Sequence, residues 1–120
     1  MPKTMRGRNK TNSARKKQAQ EIRVYLRSNL DRKVTIRELA DHFHISETQV
    51  KTCFKEVYGT TVHAWFRSGK MHAAAGDLCT TDLSVLEIAG KYGYDNGSKF
   101  AGAFRDVFGM PPGAYCLHHK

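Results

Sequence analysis

The chain has 120 residues, 40% of them apolar and 26% charged, with a net charge of +9 and a pI of about 9.7. This length fits one compact domain or two very small ones; no run approaches the roughly 18 apolar residues of a membrane span, and the start lacks the apolar stretch of a signal peptide. Cys53, Cys79 and Cys116 lie far apart, with no CxxC and no histidines to complete a zinc module, and are expected to be reduced thiols in a cytoplasmic setting.

The charge implies a polyanionic partner, a nucleic acid or an anionic membrane surface. Its distribution is uneven. Residues 1–20 carry seven bases and no acid, whereas residues 21–120 carry 13 bases against 11 acids. The folded part must therefore bind a polyanion through placed charges rather than bulk charge. Residues 1–13, basic and polar with almost no apolar anchor, are predicted to be a disordered arm, either a linker or a strand that touches phosphates.

Ser13 is placed to cap a first helix running to about Asn29, with Ala19, Ile22, Leu26 and Leu30 on its inner face. Thr35 begins a second helix as a capping box with Glu38, burying Ile36, Leu39, Ala40 and Phe43. His44-Ile45 makes a turn. Ser46 caps a third helix, with Gln49 as its box-like partner, Val50, Cys53, Phe54 and Val57 inward, and Gly59 as the stop. Thr60 or Thr61 caps a longer helix over about Val62–Leu78, in which Gly69 is out of place, since a helix-interior glycine costs about 1 kcal/mol. Ser84 with Glu87 starts a fifth helix carrying Val85, Ile88, Ala89 and Tyr92 inward. Gly93 turns the chain, and Asp95 or Asn96 caps a sixth helix with Phe100, Ala103, Phe104, Val107 and Phe108 inward and Gly109 at its end. Pro111-Pro112 opens a short last helix with Tyr115 and Leu117. No period-2 run reads as a strand, so the fold is predicted to be all-α, with about seven helices.

Two stretches of this string repeat. TIRELADHFHISETQVKTCFKEVYG (Thr35–Gly59) and SVLEIAGKYGYDNGSKFAGAFRDVFG (Ser84–Gly109) share a hydroxyl start, Glu-apolar-Ala, and an ending of Phe, base, acid, Val, aromatic, Gly. They are offset by 49 residues at the start and 50 at the end, which implies one inserted residue around Asp95. Each repeat reads as a helix-turn-helix. The predicted organisation is an arm (1–13), a first helix-turn-helix subdomain (14–59), a linker helix (60–79) and a second helix-turn-helix subdomain (80–120).

In a helix-turn-helix one helix crosses the phosphate backbone while the second lies in the major groove, where base edges present donors and acceptors. The groove-facing candidates are Thr48, Gln49, Lys51, Thr52 and Lys55 in the first repeat. In the second they are Asn96, Gly97, Ser98, Lys99 and Arg105, with Arg105 better placed for phosphate. A polar outer face is normal for any surface helix; the duplication is what argues for DNA. Successive major grooves on one face of B-DNA lie about 34 Å, or roughly 10 bp, apart, so two readers in one chain would cover about 20 bp without dimerising.

The span from about Lys17 to Tyr115 resembles the DNA-binding domain of AraC/XylS-type transcription regulators. The resemblance rests on Ile88-Ala89-x3-Gly93-Tyr94-x3-Ser98-x-Phe100-x3-Phe104-x4-Gly109-x2-Pro112-x2-Tyr115, and on Glu38-Leu39-Ala40, Ser46, and Phe54-Lys55-x3-Gly59 in the first repeat. It implies a bilobed seven-helix domain with a rigid linker helix, sequence-specific binding to double-stranded promoter DNA, transcription regulation, and recruitment of RNA polymerase by a domain that is itself monomeric. It implies no cofactor and no membrane partner. The chain departs from the family where Gly102 replaces a groove-facing Arg, where Gly69 replaces an aromatic, where Lys70 replaces an Arg, and where Cys116 follows Tyr115. Each change weakens an expected DNA or packing contact.

Two rival readings are a non-specific polyanion-binding module and a helical module that docks on polymerase. Catalysis has no motif behind it: Cys53 sits on an inward face, and His118 and His119 lie at the end of the chain.

Overall fold

In a computed structural model of the protein, the backbone is described for residues 2–119 and side chains for residues 13–115. The elements are α1 (Pro2–Arg27), α2 (Ile36–Phe43), α3 (Glu47–Tyr58), α4 (Val62–Thr80), α5 (Val85–Lys91), α6 (Gly97–Phe108) and α7 (Pro112–His119). There is no strand among the described residues, as expected. Ser13 lies inside α1 rather than at its cap. The arm assigned to residues 1–13 falls, Ser13 apart, outside the residues whose side chains are described, as does Leu117.

The chain forms two compact units, residues 1–28 with 34–64, and residues 29–33 with 65–120. In the first unit α1 and α2 both pack on α3. Apolar residues at spacings of three and four fill the core: Ala19, Ile22 and Leu26 from α1, Ile36, Leu39 and Ala40 from α2, and Val50, Cys53 and Phe54 from α3. Thr35 Oγ1 accepts the Glu38 N–H and Ser46 Oγ accepts the Gln49 N–H, each at 3.0 Å. Such caps are worth about 1 kcal/mol apiece. The Gln49 side chain does not turn back on Ser46; its Nε2 donates to Gln18 Oε1 of α1 at 2.9 Å. Tyr25 Oη donates to Glu38 Oε2 at 2.5 Å and ties α1 to α2.

In the second unit Met71, Ala74 and Ala75 of α4, Ile88, Ala89 and Tyr92, and Phe100, Ala103 and Phe104 of α6 form one core. Tyr115 of α7 closes it against Phe104 and Phe108, with ring centroids 5.4 and 4.9 Å away. Ser84 and Glu87 make a complete capping box, both bonds 3.1 Å. Asn96, not Asp95, caps α6, its Oδ1 accepting the Lys99 N–H at 2.8 Å. Asp95 instead accepts from Lys33 Nζ at 3.1 Å. The oddity of Gly69 has a packing context: a Cβ there would stand 3.2 Å from Leu30 Cδ2, so glycine lets that leucine sit on α4 without shifting.

Lys70 differs most from the sequence reading. It is buried, at 6% exposure, and its Nζ donates to the carbonyl oxygens of Leu30 and Arg32 at 2.7 Å and of Tyr92 at 2.8 Å. The ammonium also sits 4.4 Å from the centroid of the Phe66 ring. Rather than weakening a packing contact, it joins residues 30–32, α4 and the end of α5. Burial pushes its pKa down to about 8, and the three carbonyls and the ring face favour the protonated form at neutral pH. The thiols also differ from expectation. Cys53 is free and buried, but Cys79 is disulfide-bonded. Spacing along the chain, on which three reduced thiols were expected, does not report distance in the fold.

Replacing Lys70 with Met removes the ammonium and leaves three carbonyls, that of Tyr92 buried and those of Leu30 and Arg32 partly so, without their donor. The expected loss is about 2–4 kcal/mol, read as a lower urea midpoint with an unchanged m-value. A loss below about 1 kcal/mol would show that the clamp is dispensable.

Candidate nucleic-acid interface

Hydrogen bonds locate the single inserted residue between the repeats. The Ile45 N–H bonds Ala40 O at 3.0 Å and the Tyr94 N–H bonds Ala89 O at 2.9 Å, an offset of 49. Ser46 caps α3 and Asn96 caps α6, an offset of 50. Asp95 is therefore the insertion. In both units a left-handed residue redirects the chain before the second helix: His44, at φ 58°, in the first and Gly93, at φ 85°, in the second. Gly93 also lies beside the Arg32–Lys33 backbone, which a Cβ there would touch at 3.4 Å, an ordinary contact distance, so it is the positive φ that favours glycine.

At 100° per residue, the buried line Val50–Cys53–Phe54 of α3 leaves Thr48, Thr52 and Lys55 on the opposite side, all exposed. Lys51, also exposed, lies on one flank. Gln49 is exposed on the other flank, tied to Gln18. Thr52 Oγ1 donates to Thr48 O at 2.9 Å. Its hydroxyl proton is thereby engaged on its own helix, and it presents a lone pair and a methyl group outward.

In α6 the residues opposite Phe100, Ala103 and Phe104 are Ser98, Gly102 and Arg105, all exposed. Ala101 stands where Lys51 stands in the first unit, and Lys99 where Gln49 stands. Lys99 is exposed but on the flank, and Gly97 is half-buried. Asn96 is exposed with its Oδ1 committed to the cap. The structure thus brings Thr48, Thr52 and Lys55 onto one surface of α3 and Ser98 and Arg105 onto the matching surface of α6, with Gln49, Lys51 and Lys99 on the flanks, Gly97 half-buried and Asn96 at the cap.

Two ion pairs escaped the sequence reading. Arg15 of α1 bonds Glu56 of α3 at 2.6 Å, and Arg67 of α4 bonds Asp106 of α6 at 3.3 Å. Glu56 and Asp106 occupy matching positions, and so do Arg15 and Arg67, at an offset of 52 residues. That recurrence was the available signal. The pairs are solvent-exposed and add little stability. Their effect is electrostatic placement: Glu56 of α3 and Asp106 of α6 are each paired with an arginine on the flank beside the first helix of their unit.

A three-helix unit with a polar, cation-bearing second helix after a left-handed turn, present twice, defines a helix-turn-helix DNA-binding protein. The helix-turn-helix domain family matches residues 39–117. The chain is 30% identical over 97 residues to the HTH-type transcriptional activator AarP of Providencia stuartii, covering 81% of this chain and 72% of that protein. It is 35% identical over 89 residues to the transcriptional activator NphR of a Rhodococcus species, covering 74% of this chain but only 26% of that protein. Among solved structures, the DNA-binding domain of AdpA, a global transcriptional factor in complex with a target DNA, superposes with a TM-score of 0.78 at 25% identity, covering 84% of this chain and 91% of that one. The chain belongs to the AraC/XylS family of transcription regulators and comprises its two-reader DNA-binding domain.

A Cβ at Gly102 would meet nothing within 4 Å, so the centre of the second reader has room for a long side chain. Gly102→Arg is expected to fold with an unchanged or slightly higher melting temperature, because an interior helical glycine is removed. It should also gain preference for one guanine by about 1–3 kcal/mol, seen as a new invariant position in duplex selection. An unaltered selection profile would place this face away from base edges.

Proposed function

We propose that α3 and α6 are the recognition helices of a promoter-binding domain, each inserted in a major groove of the same duplex. The observation that carries this reading is the duplicated exposed face, Thr48–Thr52–Lys55 and Ser98–Gly102–Arg105, opposite a buried apolar one. Thr48, Lys51 and Thr52 read base edges, while Lys55 reaches base or phosphate. Ser98 reads in the second unit, Lys99 and Arg105 hold phosphates, and Asn96 and Gly97 bring the N-terminal end of α6 close to the duplex, where its amides favour an anion. Gly102 makes the second reader the weaker specifier, and its main contribution is position along the DNA. Gln49 supports the first reader through Gln18.

The domain acts as a monomer in the cytoplasm and regulates transcription by presenting itself to RNA polymerase at the promoter. No helix among the described residues is long and apolar enough to cross a membrane. The similar proteins are regulators rather than enzymes, which supports a binding role without catalysis.

Selection from random duplex DNA, with footprinting of the winners at two salt concentrations, tests this reading. The expected result is a protected site of about 20 bp with two preferred blocks one helical turn apart. Equal binding to heparin, RNA and any duplex would instead make the chain a simple polycation. Within the same assay Lys51→Ala is expected to relax preference at one block while leaving the other intact. An unchanged profile would remove Lys51 from the reading face.

A further inference from the structure

Leu86 lies on α5, two residues after the Ser84 cap, and is 66% exposed while its neighbours Ile88 and Ala89 are buried. A single exposed leucine carries no meaning by itself; its place does. A Cβ at Gly97, the first residue of α6, would stand 3.8 Å from Leu86 Cδ1. The leucine therefore lies against the N-terminal end of the reader helix, the end that meets base edges in a helix-turn-helix.

The repeat supplies a comparison. The residue matching Leu86 in the first unit is Arg37, also exposed, 4.0 Å from Asp41. The fold thus leaves this position to solvent in both units and does not require an apolar side chain there. On α6 Gly97 and Gly102 have no side chain and Ala101 stands in place of Lys51, so this helix carries fewer side-chain donors than α3, those it has being on Asn96, Ser98, Lys99 and Arg105. What Leu86, Gly97 and Ala101 offer a major groove is close approach and aliphatic surface. The group on a base edge that fits such a surface is the 5-methyl of thymine.

We propose that Leu86 is a specificity-determining residue of the second reader and packs on the 5-methyl group of a thymine in its half-site. This inference rests on α6 being a recognition helix, and its test separates the two.

The probe is the duplex preferred in selection, with each thymine replaced in turn by deoxyuridine, which removes only the methyl group. At one or two positions affinity is expected to fall about threefold to tenfold, on the scale of one buried methyl group. Those losses should vanish in Leu86→Ala and persist in Leu86→Met, which keeps an aliphatic chain. Leu86 is exposed, so both variants should melt as the parent does. The assignment is overturned if no deoxyuridine costs more than about twofold, or if the losses are the same in Leu86→Ala as in the parent. A chain that selects no sequence at all would overturn the reader assignment of α6 along with it.

Discussion

Aiming a reader helix is the constraint on which this small domain depends, and in the second unit one buried ammonium does much of it. Lys70 bonds Tyr92 O, the carbonyl immediately before Gly93, and Leu30 O and Arg32 O, whose segment passes within 3.4 Å of where a Gly93 side chain would be. The left-handed turn that sets the direction of α6 is thus held from two sides by one side chain. A buried charge is costly unless its bonding capacity is filled. Here three donors meet three acceptors, with an aromatic face as a fourth neighbour. The first unit meets the same demand more cheaply. Gln18, which matches Lys70 at an offset of 52 residues, bonds Gln49 on the reader helix itself through one exposed amide pair. Its turn residue, His44, adopts the left-handed conformation at φ 58°.

Charge placement follows the same repeat. With 13 bases against 11 acids after residue 20, this part of the chain has little charge excess to attract a duplex. What matters is where the acids sit. Glu56 and Asp106 are drawn to Arg15 and Arg67 on the flank of each reader, and Asp77 is drawn to Lys91 and Tyr92, whose hydrogen bonds hold its carboxyl below the usual range. On the proposed reading, Lys51 and Lys55 on α3 and Lys99 and Arg105 on α6 then face a phosphate backbone with Glu56 and Asp106 already paired. Exposed pairs of this kind contribute little to folding, but they shape the local potential that steers a polyanion.

Much of this was legible in the sequence because the signals are local. Caps at Thr35, Ser46, Ser84 and Asn96, stops at Gly59 and Gly109, and apolar spacing of three and four fix helix boundaries without reference to the rest of the fold. The exposed residues of α3 and α6 followed once the inward ones were known. The features that were not legible are those in which two distant segments meet. Gly69 looked like a defect until Leu30 was found against it. Lys70 was expected to weaken a DNA or packing contact, because nothing local says that three carbonyls converge on it. Cys79 was expected to be a thiol on sequence distance alone. Ser13 has the chemistry of a cap, but α1 runs on through it.

The two readers are copies of one plan that have diverged in chemistry. On α3 the outer positions are Thr48, Lys51, Thr52 and Lys55; on α6 the same positions hold Ser98, Ala101, Gly102 and Arg105. The first surface offers hydroxyls and two ammonium groups, which discriminate by hydrogen bonds and long-range attraction. The second offers one hydroxyl, one guanidinium and bare backbone, which discriminate by how closely the helix fits. Removing side chains from a reader forfeits bidentate contacts, each worth about 1–3 kcal/mol. It also removes what would hold the helix away from the groove floor, so phosphate contacts and apolar packing on base methyl groups gain weight. On the proposed reading, a polar reader and a close-fitting reader on one chain divide the work: the first supplies most of the choice of sequence, and the second fixes register while adding discrimination through shape and methyl groups.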